Sequence, residues 1–193
     1  MTATTSEVRV FPELMAFLEE HGIPHEVLDG AVVVNPPTTF FHEDIGAELM
    51  ARLRVAAPPE LAVLGETFGF WYDPPSYVMA DVTVARRADC VREGTYIAPL
   101  LVVELLSPST SRRDLLGKKS LYAEAGVPQY WIVDPDEPAL SVLTLVDGSY
   151  VETARIRGRE ALTITEPFPV TIRLKRGASS DHPEGGRLTP DRR

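Results

Sequence analysis

The stretch APLLVVELLS, residues 98–107, is apolar at successive positions, so a strand built from it is covered on both faces. Such a strand belongs in the middle of a sheet with helices packed on either side. That points to an α/β architecture on a mixed sheet. One residue resists the pattern. Glu104 stands inside the run, and a buried carboxylate is costly unless a cation or donor compensates it.

The rest of the chain supplies the surrounding layers. FPELMAFLEEHG, residues 11–22, has helical spacing with Gly22 as its stop. HEVLDGAVVVNPP, residues 25–37, reads as a hairpin turning at Asp29-Gly30. Residues 39–57 form a helix, with Phe41, Ile45, Leu49 and Leu53 recurring along one face. Three strands are expected at 61–72, 76–86 and 98–107. A helix follows over 111–125, then a strand over 129–135, a hairpin over 139–158 turning at Asp147-Gly148, and a closing β segment over 161–174. The central order is helix, three strands, helix, strand. One domain is expected over 11–174, with a loose start at 1–10 and a disordered polar tail at 175–193.

Two further charged residues fall where apolar ones are expected. Asp81 lies within YVMADVTVA and shares a strand face with Met79 and Thr83. If its strand neighbours that of Glu104, the two acids face each other, and a divalent cation is the natural compensation for two close carboxylates. On the helix after Glu104, Leu115, Leu121, Tyr122 and Ala125 form an apolar arc with Lys118 near its middle. Asp114, one turn earlier, is a candidate partner for Lys118. Ser107, Ser109 and Thr110 are candidate helix caps. Two acids, a metal and a lysine suit phosphodiester hydrolysis. The competing reading is a structural ion pair between a strand glutamate and an inward lysine.

Composition narrows the partners. A formal charge of −9 opposes strong non-specific binding to nucleic acid. It leaves room for a local basic rim from Arg86, Arg87, Arg92, Arg112 and Arg113, of which Arg112 and Arg113 are closest in sequence to the acids. The single cysteine, Cys90, excludes an intramolecular disulfide and is read as a bystander. No apolar run reaches the roughly 20 residues of a membrane helix. The N-terminus lacks the regions of a secretory signal. A cytoplasmic protein is expected. Trp71 and Trp131 fall in strand patterns and are read as core.

VVELLSPSTSRRDLLGKKSLYAEAGVPQYWIVDP, residues 102–135, resembles the central signature of the Uma2 family, a branch of the PD-(D/E)XK nuclease superfamily. The resemblance extends over about residues 11–174. It implies the restriction-endonuclease-like core of helix, three strands, helix and strand, and metal-dependent endonuclease action on DNA with Mg²⁺, for which Mn²⁺ can substitute. It implies that Asp81 and Glu104 are the motif acids and metal ligands. Leu106 stands where the superfamily motif has its lysine, so the family's helix lysine, here Lys118, takes that part. Glu26 resembles a hairpin acid of the family. His42 matches a histidine at the start of the first core helix, where it would meet a phosphate, orient water, or simply bond to backbone. Ala80 replaces the motif proline and Ala31 replaces a frequent glutamate. DNA is the expected partner, and a homodimer fits enzymes that cut two strands. The alternative is a non-catalytic module that binds nucleic acid or protein on the same fold.

Overall fold

The computed structural model describes residues 12–34, 38–106, 112–135 and 138–174. The side chains of 112–116 fall outside that set. The chain start at 1–10 and the tail from 175 also lie outside the described residues.

The elements run α1 (Pro12–Glu20), β1 (His25–Leu28), β2 (Ala31–Val34), α2 (Phe40–Ala56), β3 (Leu61–Gly65), β4 (Gly69–Asp73), β5 (Ser76–Met79), β6 (Val82–Arg86), β7 (Gly94–Thr95), β8 (Leu101–Leu105), α3 (Arg112–Glu124), β9 (Gln129–Asp134), β10 (Ala139–Val146), β11 (Ser149–Arg157), β12 (Ala161–Ile164) and β13 (Val170–Arg173). The two predicted hairpins form. Asp29 and Gly30, and likewise Asp147 and Gly148, all take positive φ. That is the backbone a two-residue turn with the twist of its strands requires, and Asp-Gly provides it at low cost.

The predicted core order appears as α2, β3, β6, β8, α3, β9. A six-stranded sheet runs β11-β10-β9-β8-β6-β3. β8 and β9 are parallel and joined through α3, while the other neighbours are antiparallel. One face carries Leu101, Val103, Leu105, Trp131, Val133, Leu140 and Val142, packed with Ile45, Leu49 and Leu53 of α2. The other carries Val102, Tyr130 and Leu143, packed with Tyr122 of α3. β8 is therefore covered on both sides, as its unbroken apolar run demands.

The structure corrects the expected strands at 61–72 and 76–86. Each is two strands, because the chain crosses between sheets at 66–68 and again at 80–81. β3 and β6 pair in the large sheet, whereas β4 and β5 pair in a second sheet of order β2-β1-β5-β4-β7. The whole of 61–86 is a long antiparallel hairpin bent across both sheets. An unbroken periodicity of two cannot reveal such a bend, because the pleat continues through it. The third expected strand, 98–107, is narrower, at Leu101–Leu105. Trp131 is fully buried in the core. Trp71 is only partly buried and stacks between Tyr77 and Tyr96.

Candidate active site

The corner of that bent hairpin is where the acids meet. β6 and β8 pair Val82 with Val103 and Thr83 with Val102. Continuing the register by one residue sets Asp81 opposite Glu104, on the same face of the sheet. Asp81 lies just before β6, and its Oδ2 accepts from the Leu105 backbone N–H at 2.6 Å. That bond replaces the ladder pairing lost at the sheet crossing and holds the carboxylate beside β8.

Glu104 is buried, and its oxygens have named partners. The Tyr122 hydroxyl donates to Oε1 at 2.8 Å. Lys118 Nζ lies 3.2 Å from Oε1. Lys118 also reaches Glu26 Oε1 at 2.9 Å and donates to the Met79 carbonyl at 3.4 Å. Glu26 in turn accepts from the Met79 N–H at 2.7 Å. One lysine thus ties the β1–β2 hairpin, the sheet crossing and β8 together. The inward face predicted for Lys118 and Tyr122 is the face observed. Asp114, proposed as a partner of Lys118, has its side chain outside the described residues.

His42 opens α2. Its backbone N–H is capped by Thr39 Oγ1 at 3.3 Å, and its ring Nε2 lies 3.3 Å from Asp81 Oδ1. The histidine therefore faces the first acid rather than the backbone. Arg112 and Arg113 occupy the first turn of α3, with side chains outside the described residues. Arg86 and Arg87 lie at the other end of β6 from Asp81, about 16 Å away at ~3.3 Å per residue. They take no part in a rim around the acids. Ala31 is exposed, so an acid at that position would face solvent.

Two neighbours carry no functional signal in the sequence. Helical spacing places Tyr122 only in an apolar arc, yet its hydroxyl donates to Glu104. Glu66 lies in the first sheet crossing, close enough to feel the charges of Glu43, Asp81 and His42. A polar turn, GET, has no periodicity that would point to it.

Electrostatics follow from burial. Burial pushes the Glu104 carboxyl up to about 7; Lys118 opposes the shift, and Asp81 and Glu26 reinforce it. Burial would lower Lys118, but Glu104 and Glu26 together raise it above its ordinary value, so it stays a cation at neutral pH. The hydrogen bond to Asp81 raises His42 against the opposing effect of burial. Glu66 is raised by burial, then by Glu43 and Asp81.

The raised carboxyl has a consequence for stability in metal-free buffer. Folded Glu104 binds its proton more tightly than unfolded Glu104. That contribution is therefore complete below the unfolded value of 4.5 and is lost as pH rises to about 7. The shift corresponds to about 3 kcal/mol. Glu104→Gln is expected to gain stability relative to the unsubstituted chain by up to that amount between pH 4.5 and 7, read from urea denaturation at each pH. A difference that stays constant across this window would refute the assignment.

The donor set suits a hard divalent cation. Asp81 and Glu104 present oxygen only, on one face, and among the described residues Lys118 and His42 are the cationic partners of Glu26, Glu104 and Asp81. Among the described residues no group of three His, Cys, Asp or Glu side chains forms a metal cage. Two carboxylates are what Mg²⁺ commonly takes from a protein when water and phosphate fill the rest.

Comparison with known proteins agrees with this architecture. A family model, Uma2, described as "Putative restriction endonuclease", matches residues 11–176. No curated protein matches the chain. Among solved structures the chain is similar to "a putative nuclease belonging to DUF820" from Anabaena variabilis ATCC 29413. The identity is 18%, the TM-score is 0.62, and the match covers 74% of this chain and 81% of that one. At that identity the likeness is one of fold, and the fold is restriction-endonuclease-like. No helix of the described residues is long and apolar enough to cross a membrane. With a family model spanning the hairpin, both core helices and the central sheet, the chain belongs to the Uma2 family.

Proposed function

We propose that this protein is a metal-dependent endonuclease that hydrolyses DNA phosphodiester bonds. The observation that carries the reading is the meeting of Asp81, Glu104 and Lys118 at one sheet corner, with a buried glutamate that burial holds above its ordinary pKa. A purely structural ion pair needs one acid per lysine. Here Glu26 already serves Lys118, and Asp81 adds a further carboxylate.

Asp81 and Glu104 would hold Mg²⁺ or Mn²⁺, which supplies Lewis-acid polarisation of the phosphoryl group and acidifies bound water. In the hydrolysis, a water oxygen adds to phosphorus, one P–O ester bond breaks, and the departing oxygen takes up a proton. Lys118 is an electrostatic stabiliser of the negative charge that grows on the phosphoryl oxygens, since its raised pKa keeps it charged rather than basic. Tyr122 and Lys118 orient Glu104. His42 orients Asp81. Glu26 positions Lys118. Arg112 and Arg113, on the first turn of α3, would contact flanking phosphates, where a helix N-terminus adds its own dipoles.

Incubating the full chain with supercoiled plasmid tests the reading. Nicked and linear DNA are expected with Mg²⁺ or Mn²⁺ and neither with EDTA. Linear product without prior build-up of nicked circles would mark a homodimer cutting both strands together. Intact plasmid across both metals would refute the nuclease assignment and favour a binding module on this fold.

A further inference from the structure

The face of the large sheet that carries Glu104 continues past it. Glu104 pairs with Ile132, Ile132 with Ser141, and Ser141 with Arg155. Residues directly opposite on neighbouring strands project to the same side, so these four form one row across β8, β9, β10 and β11. The next row ends Asp134, Ala139, Arg157. A cavity of about 440 Å³ opens over these two rows, with Leu106, Ile132 and Pro138 as apolar floor and Arg155 and Arg157 along its β11 edge. Arg155 stands three strands from Glu104, about 14 Å at ~4.8 Å per strand. That span is on the order of four base-pair steps of ~3.4 Å along a duplex.

We propose that this pocket seats a backbone phosphate of the nucleic-acid strand flanking the cut, held by Arg155 and Arg157. The proposal rests on the nuclease reading above. A chain of net charge −9 needs a local cationic hold on a polyanion. The guanidinium fork is the side chain best matched to phosphate. Asp134 lines the β9 wall of the cavity, across it from the two arginines of β11. Arg155 is clasped by Glu152 at 2.6 Å, but both side chains are at least 40% exposed. An exposed, solvent-screened clasp of this kind is weak, so an incoming phosphate displaces it readily. Both arginines are exposed, so their removal leaves the core untouched.

The test uses Asp81→Asn protein, expected to bind without cutting, and fluorescence anisotropy of a labelled duplex over a series of salt concentrations. The double variant Arg155→Ala/Arg157→Ala is expected to raise Kd about 10-fold and to reduce the slope of log K against log salt by about 1, the share of one phosphate. The double variant Arg86→Ala/Arg87→Ala removes the same charge from the end of β6 far from Asp81 and is expected to change neither. Equal effects of the two doubles, no effect of the first, or no duplex binding by the parent would each overturn the pocket assignment. If the unsubstituted chain cuts nothing while the first double still weakens binding, the nuclease reading fails and the pocket stands as a nucleic-acid site.

Discussion

Asp81→Asn and Glu104→Gln are each expected to lower the rate of metal-dependent plasmid cleavage by at least about 10³-fold while leaving the fold intact. Both replacements are isosteric and neutral. In Asp81→Asn the amide oxygen can still accept the Leu105 N–H, so the corner between the sheets survives. In Glu104→Gln the amide oxygen can still accept from the Tyr122 hydroxyl. The lost feature in each is negative charge, which a Mg²⁺ site built on two carboxylates cannot spare. Mn²⁺ affinity, measured by titration calorimetry without DNA, should weaken in step with activity. Retained cleavage in either variant would remove that residue from the site.

Lys118→Met carries the largest expected cost to stability, about 3–5 kcal/mol. The lysine is the cation shared by Glu26 and Glu104, and all three side chains are nearly buried. Removing it leaves two carboxylates facing each other across a thioether. Adding Glu26→Gln should recover part of the loss, because one of the stranded charges goes with it. Urea denaturation of the single and double variants followed by tryptophan fluorescence measures both steps. A single-variant cost below about 1 kcal/mol would show that the triad does not hold the β1–β2 hairpin to the sheet. Loss of cleavage in Lys118→Met therefore cannot by itself assign chemistry to the lysine. Lys118→Arg, which keeps the charge, separates positioning from charge stabilisation: a folded variant with slow cleavage would mean the point charge must sit where the ammonium does.

Several parts of this protein are readable from the order of residues alone. The doubly apolar run around Glu104 requires helices on both faces, and α2 and α3 supply them. The Asp-Gly pairs place two turns, because few other residues adopt positive φ cheaply. Helical spacing turns Lys118 and Tyr122 inward, because ~100° per residue is a local property of the backbone.

Tertiary structure alone decided the rest. The two crossings that split 61–86 between sheets arise from how the sheets pack, which no local period records. Glu26 and Lys118 are 92 positions apart, and only the folded chain makes them partners. His42 reaches Asp81 because α2 covers the corner of the bent hairpin. The row from Glu104 to Arg155 exists only once four strands have taken their register. Sequence carries the short-range terms, the torsional preferences and the side-chain faces. Long-range pairing of charges and strands is settled when the core excludes water and leaves each buried polar group to find its partner.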